Sequence, residues 1–270
     1  MSKGPIIADT VLEELKVLSQ DTVVITLKRP PEMDEPLPGQ FVRLKIMDYY
    51  LLNSPAPPFR PLFDRPFSFH RSEGTHLHFL IREVGPGTGL FRELPKGAQL
   101  RLTGPLGKGP VELARGSGPL VMVAGGAGMG PMGILKGRGF SPLILLYGER
   151  TASSQMERSY VEGLAEELIA VTEDGSGYGG KGLVTQPLME VLARLGKSAT
   201  VYACGPTGLL VEVERICKEN QNPLFVAAEA FMACGLGVCL TCSQETTSGK
   251  RARLCLEGPV FPGGTLIYPS

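Results

Sequence analysis

The run Leu120-Val-Met-Val-Ala-Gly-Gly-Ala-Gly-Met-Gly-Pro-Met-Gly133, followed after a loop by Leu143-Ile-Leu-Leu-Tyr147, decides how the middle of the chain folds. Five apolar residues without alternation suit a strand covered on both faces, and glycines then take over at once. Strand, glycine turn, helix and strand in that order make a parallel α/β unit. Such a turn is where a dinucleotide's diphosphate meets a helix N-terminus, which makes Gly125, Gly126, Gly128 and Gly130 candidate contacts. Gly128-x-Gly130-x-x-Gly133 formally meets the dinucleotide fingerprint, but a stretch this rich in glycine satisfies several patterns by chance. A plain flexible loop is the competing reading.

Towards the C-terminus the alternation continues. Ser153 or Ser154 can cap a helix running through Leu168. Then come the strand Ile169-Ala-Val-Thr172, a helix from Thr185 to Leu195, the strand Thr200–Cys204, a helix from Pro206 to about Asn220 and the strand Leu224–Ala227. This density of strands and helices indicates a doubly wound sheet. Cys204-Gly205-Pro206 lies at the carboxyl end of a strand, where such sheets bind ligands, so all three are candidate cofactor contacts and Cys204 a candidate catalytic residue. Cys217 shares a helix face with Leu210, Val213 and Ile216 and reads as packing.

Four of the six cysteines follow: Cys234, Cys239, Cys242 and Cys255. The spacing C-x4-C-x2-C with a later fourth thiol is that of a plant-type [2Fe-2S] ligand set. Gly235 and Gly237 let the backbone fold back sharply and bring amide groups close to the cluster sulfurs. Zinc is the rival, but its sites usually pair two C-x2-C knuckles and only one is present. Disulfides would use the same residues in a secreted protein; no N-terminal signal pattern is visible, and cytoplasmic placement with reduced thiols is the expectation.

Before the glycine run, Val23-Val-Ile-Thr-Leu27, Phe41–Ile46, Arg65–His70 and His76–Arg82 read as short strands between turns, which argues for a small antiparallel barrel. In the last of these Leu77, Phe79 and Ile81 share one face, and His76, His78 and Leu80 the other. The three histidines read as exposed strand positions with no metal spacing. Arg65, with its backbone fixed by Pro66, can fork onto phosphate oxygens. Gly85-Pro-Gly-Thr-Gly89 leads into a short helix starting near Thr88, which can cap it, and a diphosphate fits between this turn and Arg65. The plainer alternatives are a surface ion pair for Arg65 and an ordinary turn for the glycines.

Lys+Arg and Asp+Glu both number 27, so no overall field draws in nucleic acid or an anionic membrane. The uncharged run Gly116 to Leu135 carries seven glycines and two prolines, which a bilayer helix rarely tolerates. The expected organisation is a β-barrel over 1–115, an α/β domain over 116–225 and a small cluster domain over 226–270.

Taken in order, Arg65-x-x-Ser68, the glycine turn, Cys204-Gly-Pro206 and the four late cysteines resemble the ferredoxin reductase family, and within it the electron-transfer subunits of NAD-linked dihydroorotate dehydrogenases. The resemblance implies that Arg65, Pro66, Phe67 and Ser68 contact FAD, with Ser68 near the flavin ring and a candidate catalytic residue. It implies that Leu80, Ile81, Arg82, Gly87 and Thr88 hold the rest of the FAD. It also implies that 172–176 and 180–185 surround the NAD site, and that Cys234, Cys239, Cys242 and Cys255 ligate the cluster. Phe67 departs from the tyrosine common in flavin reductases, and the proline-rich stretch from Tyr49 to Asp64 is longer than usual.

Nicotinamide exchanges two electrons as hydride, a [2Fe-2S] cluster one at a time, and a flavin both. The resemblance therefore implies a relay between NAD, FAD and cluster. Its substrate would be oxidised on a partner, an FMN-containing dihydroorotate dehydrogenase catalytic subunit, in a heterotetramer with two copies of each chain. Glu149-Arg150 leaves NAD against NADP undecided by residues alone. The alternatives are the flavin/[2Fe-2S] small subunit of a ferredoxin:NADP oxidoreductase or hydrogenase, and a zinc-stabilised interaction module.

Overall fold

Strand-forming residues in short runs build β1 (Ile6–Val17), β2 (Thr22–Lys28), β3 (Phe41–Ile46), β4 (Arg65–Ser68), β5 (Arg71–Glu73), β6 (His76–Arg82) and, after the short helix α1 (Pro86–Gly89), β7 (Gln99–Leu106). The computed structural model describes residues 4–47 and 64–268, so the proline-rich stretch lies outside it except for Asp64. The seven strands form one antiparallel sheet in the order β4-β3-β7-β1-β2-β6-β5. Its edge strands β4 and β5 are separated in sequence by Phe69 and His70 alone, so one segment joins the sheet's two ends. Leu77, Phe79 and Ile81 point into the core as their alternation requires.

Two expectations fail in this half. His70 is completely buried rather than exposed, because it sits where the chain crosses between the two ends of the sheet. Thr88 does not cap: α1 starts at Pro86, and the Thr88 hydroxyl inside it donates to Gly85 O and accepts from the Val84 amide.

After α2 (Val111–Ala114), the second half runs β8 (Leu120–Gly125), β9 (Leu143–Glu149), α3 (Arg158–Glu162), β10 (Glu167–Thr172), β11 (Gly180–Lys181), α4 (Gln186–Leu195), β12 (Thr200–Cys204), α5 (Thr207–Asn220) and β13 (Leu224–Ala227). A hairpin of β14 (Ser243–Glu245) and β15 (Arg251–Arg253), the turn of helix α6 (Leu254–Glu257) and β16 (Val260–Pro262) complete the described chain. The second sheet has the order β11-β10-β9-β8-β12-β13-β16, parallel except for β16, which the C-terminal stretch lays antiparallel on β13. The order reverses between β8 and β12, which places the crevice of the sheet at that point.

No α-helix follows β8; two 3-10 turns, Gly126–Met129 and Gly133–Leu135, stand in its place. Glycine is a poor helix former, and Pro131 removes a backbone donor between the turns. The helix expected from Ser153 to Leu168 shrinks to α3, and Glu167 and Leu168 belong to β10. The serine hydroxyls are engaged elsewhere: Ser153 with Thr151, and Ser154 with Asp21 across the molecule.

One face of the second sheet continues the apolar core of the first, through Leu120, Met122, Leu143, Leu145 and Tyr202. The other packs on α4, α5 and the C-terminal stretch, where Cys217 is buried beside Leu210, Val213 and Ile216. Among the described residues no helix is long and apolar enough to cross a membrane.

Candidate functional site

A cleft of about 770 Å³ opens at the switch point between the sheets. The first sheet lends it Asp21, Arg82, Glu83 and Val84; the second lends the turns after β8, β9, β10 and β12. That volume suits a nucleotide. Gly125, Gly126, Gly128, Gly205 and Pro206 line it. Gly130 does not: its carbonyl accepts a 2.8 Å hydrogen bond from His70 Nδ1. Gly128 is required for a packing reason, since a Cβ there would run into the carbonyl of Cys204 and force the β8 and β12 turns apart.

Cys204 is buried beside the cleft, and its thiol points at Glu229, Sγ to Oε1 4.0 Å. Burial, then the Glu229 carboxylate, holds its pKa well above the ordinary thiol value, so it stays protonated. Glu229, at the start of the cysteine-bearing stretch, borders the cleft as well.

Arg82 spans the cleft's inner wall. Its Nε donates to Asp21 Oδ2 at 3.0 Å and its Nη2 to Glu149 Oε2 at 2.9 Å. Glu149, whose side chain is only 3% exposed, also accepts from the Tyr147 hydroxyl at 3.0 Å. Burial pushes the Glu149 pKa up against the pull of Arg82. The acid at the end of β9 is thus engaged within the protein, and Glu173 at the end of β10 lines the cleft beside Arg150.

On the barrel side the Arg65 guanidinium lies where a side chain at Gly87 would have to go, so the strand and the glycine turn meet as their sequences suggested. Thr88 follows in the same turn. Pro66 and Ser68 share β4 with Arg65, and Phe67 packs edge-on against Phe91, centroids 5.0 Å apart. Leu80 and Ile81 are buried core residues, paired in the sheet with Val24 and Val23 of β2.

The four late cysteines fall into two pairs. Cys234 lies beside Cys239, and Cys255 beside Cys242, close enough for each thiol to act on its neighbour's pKa. Among the described residues no three metal-binding side chains form a cage for a single ion. Two thiol pairs match the donor set that a two-iron cluster takes, two thiolates to each iron. The loop between the first pair turns at Gly235 (φ 67°) and Gly237 (φ 79°), and the Leu236 amide donates to Cys234 Sγ at 3.3 Å. Cys239, exposed, has its pKa lowered to about 6, chiefly by the Thr241 hydroxyl. Burial, then Cys242, raises that of Cys255 to about 12.

Residues 229–267 match the iron-sulfur cluster binding domain of dihydroorotate dehydrogenase B. The electron transfer subunit of dihydroorotate dehydrogenase B (NAD(+)) from Clostridium acetobutylicum is 35% identical over 231 residues, covering 85% of this chain and 86% of its own. This chain belongs to that family. The subunit from Lysinibacillus sphaericus is 30% identical over 94% of this chain and 98% of its own. Among solved structures, the NADH-dependent reduced ferredoxin-NADP oxidoreductase superposes with a TM-score of 0.78 at 22% identity, covering 96% of this chain and 90% of that one. A ferredoxin NADP+ reductase from Neisseria gonorrhoeae, with bound FAD and NADP, gives 0.60 at 16% identity, covering 79% and 91%. Both share the fold.

As a member of that family, the chain brings to the cleft residues that its sequence did not announce. Asp21, Ser154 and Glu229 reach the cleft from separate loops, and no local pattern marks them. His70 ties β4 to the glycine turn; its position directly after Arg65-Pro-Phe-Ser-Phe was the available signal. Arg43, half-buried on β3, donates to Cys234 O at 2.9 Å.

Proposed function

We propose that this chain carries electrons between a partner FMN-containing dihydroorotate dehydrogenase and NAD+ in pyrimidine biosynthesis, in a heterotetramer with two copies of each subunit. The observation that supports this most strongly is two thiol pairs held in a family-matched stretch that begins at Glu229, on the rim of a nucleotide-sized cleft. The residues fit the cofactors. Cys234, Cys239, Cys242 and Cys255 would hold a [2Fe-2S] cluster. Arg65, Pro66, Phe67, Ser68, Leu80, Ile81, Arg82, Gly87 and Thr88 would hold FAD. Gly125, Gly126, Gly128, Gly205 and Pro206 would border NAD, with Cys204 behind them and Gly130 outside the lining. When bound, the nicotinamide exchanges hydride, the cluster single electrons and the flavin both.

The reading keeps the three-part organisation of barrel (1–115), α/β unit (116–225) and cluster-binding unit (226–270), with the last lending β16 to the second sheet. The chain's own residues contribute position and charge. Arg65 offers a fork for phosphate oxygens beside Gly87, and the buried Cys204 thiol keeps its proton. The cleft lining carries Asp21, Glu83, Glu149, Glu173, Glu212 and Glu229 against Arg82 and Arg150, an acidic excess that disfavours an additional phosphate and so favours NAD over NADP.

The purified chain, loaded with its cofactors, should oxidise NADH with an artificial acceptor and show no activity with dihydroorotate. Adding an FMN-bearing partner should couple dihydroorotate oxidation to NAD+ reduction. Dihydroorotate oxidation by the chain alone would overturn the division of labour.

A further inference from the structure

We propose that Arg43 tunes the iron-sulfur centre: its largely shielded positive charge, fixed against the loop that carries Cys234, raises the reduction potential of the cluster. The inference rests on the functional reading above and adds a residue to which the sequence assigned no role.

Arg43 lies in the middle of β3, paired in register with Pro66 of β4, the strand that carries Arg65 and Ser68. Its side chain leaves the sheet towards the cysteine loop, 191 residues away in sequence, and Nη1 donates to Cys234 O at 2.9 Å. The loop is shaped to receive it. At Gly235 the backbone has φ 67°, and an added Cβ would lie 2.8 Å from Arg43 Cδ. A side chain there would push the guanidinium off the loop.

Its charge differs from the others nearby. Arg253 also reaches the loop, donating to Gly237 O at 3.2 Å, but its side chain is 38% exposed and it is paired at 2.9 Å with Glu257. Water and the carboxylate screen it. The Arg43 side chain is 15% exposed; among the described residues its carboxylate partner is Asp64, 18% exposed, at a looser 3.6 Å, and its Nε is buried without a hydrogen-bond partner. A permanent cation in that setting acts through a low effective dielectric. Adding an electron to a thiolate-bound iron cluster increases its negative charge, and net charge and hydrogen bonding around the sulfurs set such potentials. A largely shielded cation beside the loop therefore favours the reduced form.

The test compares Arg43→Lys and Arg43→Gln with the wild-type chain, each reconstituted with iron, sulfide and FAD, by iron analysis and by redox titration of the cluster's electron paramagnetic resonance signal. Glutamine keeps an amide that can donate to Cys234 O and removes the charge; lysine keeps the charge. Both variants should retain two irons per chain. The Lys variant should titrate with the wild type, whereas the Gln variant should show about a tenfold lower reduced-to-oxidised ratio at a fixed potential, a downward shift of about 59 mV for a one-electron couple. An unshifted Gln variant, or loss of iron from it, would overturn the proposal, the latter by making Arg43 a structural support only. A wild-type chain that binds no cluster at all would instead defeat the functional reading.

Discussion

His70 shows what a single side chain contributes at the junction of the two sheets. Gly130 O is its hydrogen-bond partner and only accepts, so the proton sits on Nδ1 and Nε2 is a buried lone pair without a partner among the described residues. The ring stacks on Tyr160 at 5.9 Å and a 19° interplanar angle. Burial, chiefly, lowers its pKa from 6.5 to about 4, so the ring stays neutral in the folded chain. Between those values the unfolded chain binds the proton and the folded chain does not, and stability must fall as pH drops from about 6.5 to about 4, by on the order of 3 kcal/mol. Denaturant titrations across that range should show this slope in the wild type and a shallower one in His70→Asn, which can still donate to Gly130 O; equal slopes would remove His70 as the cause. The reading of the histidines as exposed missed this because strand alternation says nothing about a residue at which the chain crosses between sheet ends.

At the scale of elements, the strands were legible wherever an apolar run was long enough to be covered on both faces. β8, β9, β12 and β13, and the helices α4 and α5, fall within a few residues of their expected spans. The glycine stretch was harder, because the same glycines that suggest a helix start also permit two 3-10 turns, with Pro131 between them and Gly128 packed on Cys204. The cysteine spacing suggested a candidate ligand set but not its grouping into pairs, which depends on how α6 returns Cys255 to Cys242. On the proposed assignment each pair serves one iron, so replacing Cys239 or Cys255 by Ser should cost the whole two-iron centre. Iron per chain should fall from two to well below one in either variant, while FAD content stays unchanged. Retention of two irons in both would remove these thiols as ligands. Gly237→Ala should weaken cluster assembly more mildly, as its backbone lies at φ 79° and a Cβ would come 2.9 Å from Leu256 Cδ2.

Across the whole molecule, the two sheets are held as one body by contacts that sequence patterns do not reveal. Glu157 N donates to Leu18 O, Gln20 N to Ser153 O and Arg138 to Pro36 O, while Arg82 bridges Asp21 of the first half to Glu149 of the second. Glu149→Gln removes the buried carboxylate and leaves Arg82 with Asp21. Stability should fall by about 1–3 kcal/mol, read from the denaturant midpoint at constant m-value. An unchanged midpoint would mean that the bridge contributes nothing to joining the halves.

The central claim is that this joined body holds a flavin and a two-iron centre within electronic reach of NADH. Anaerobically purified chain should therefore contain two irons, two acid-labile sulfides and one FAD, with both chromophores bleaching when NADH is added. A colourless chain, or one carrying a single zinc and no flavin, would contradict the account.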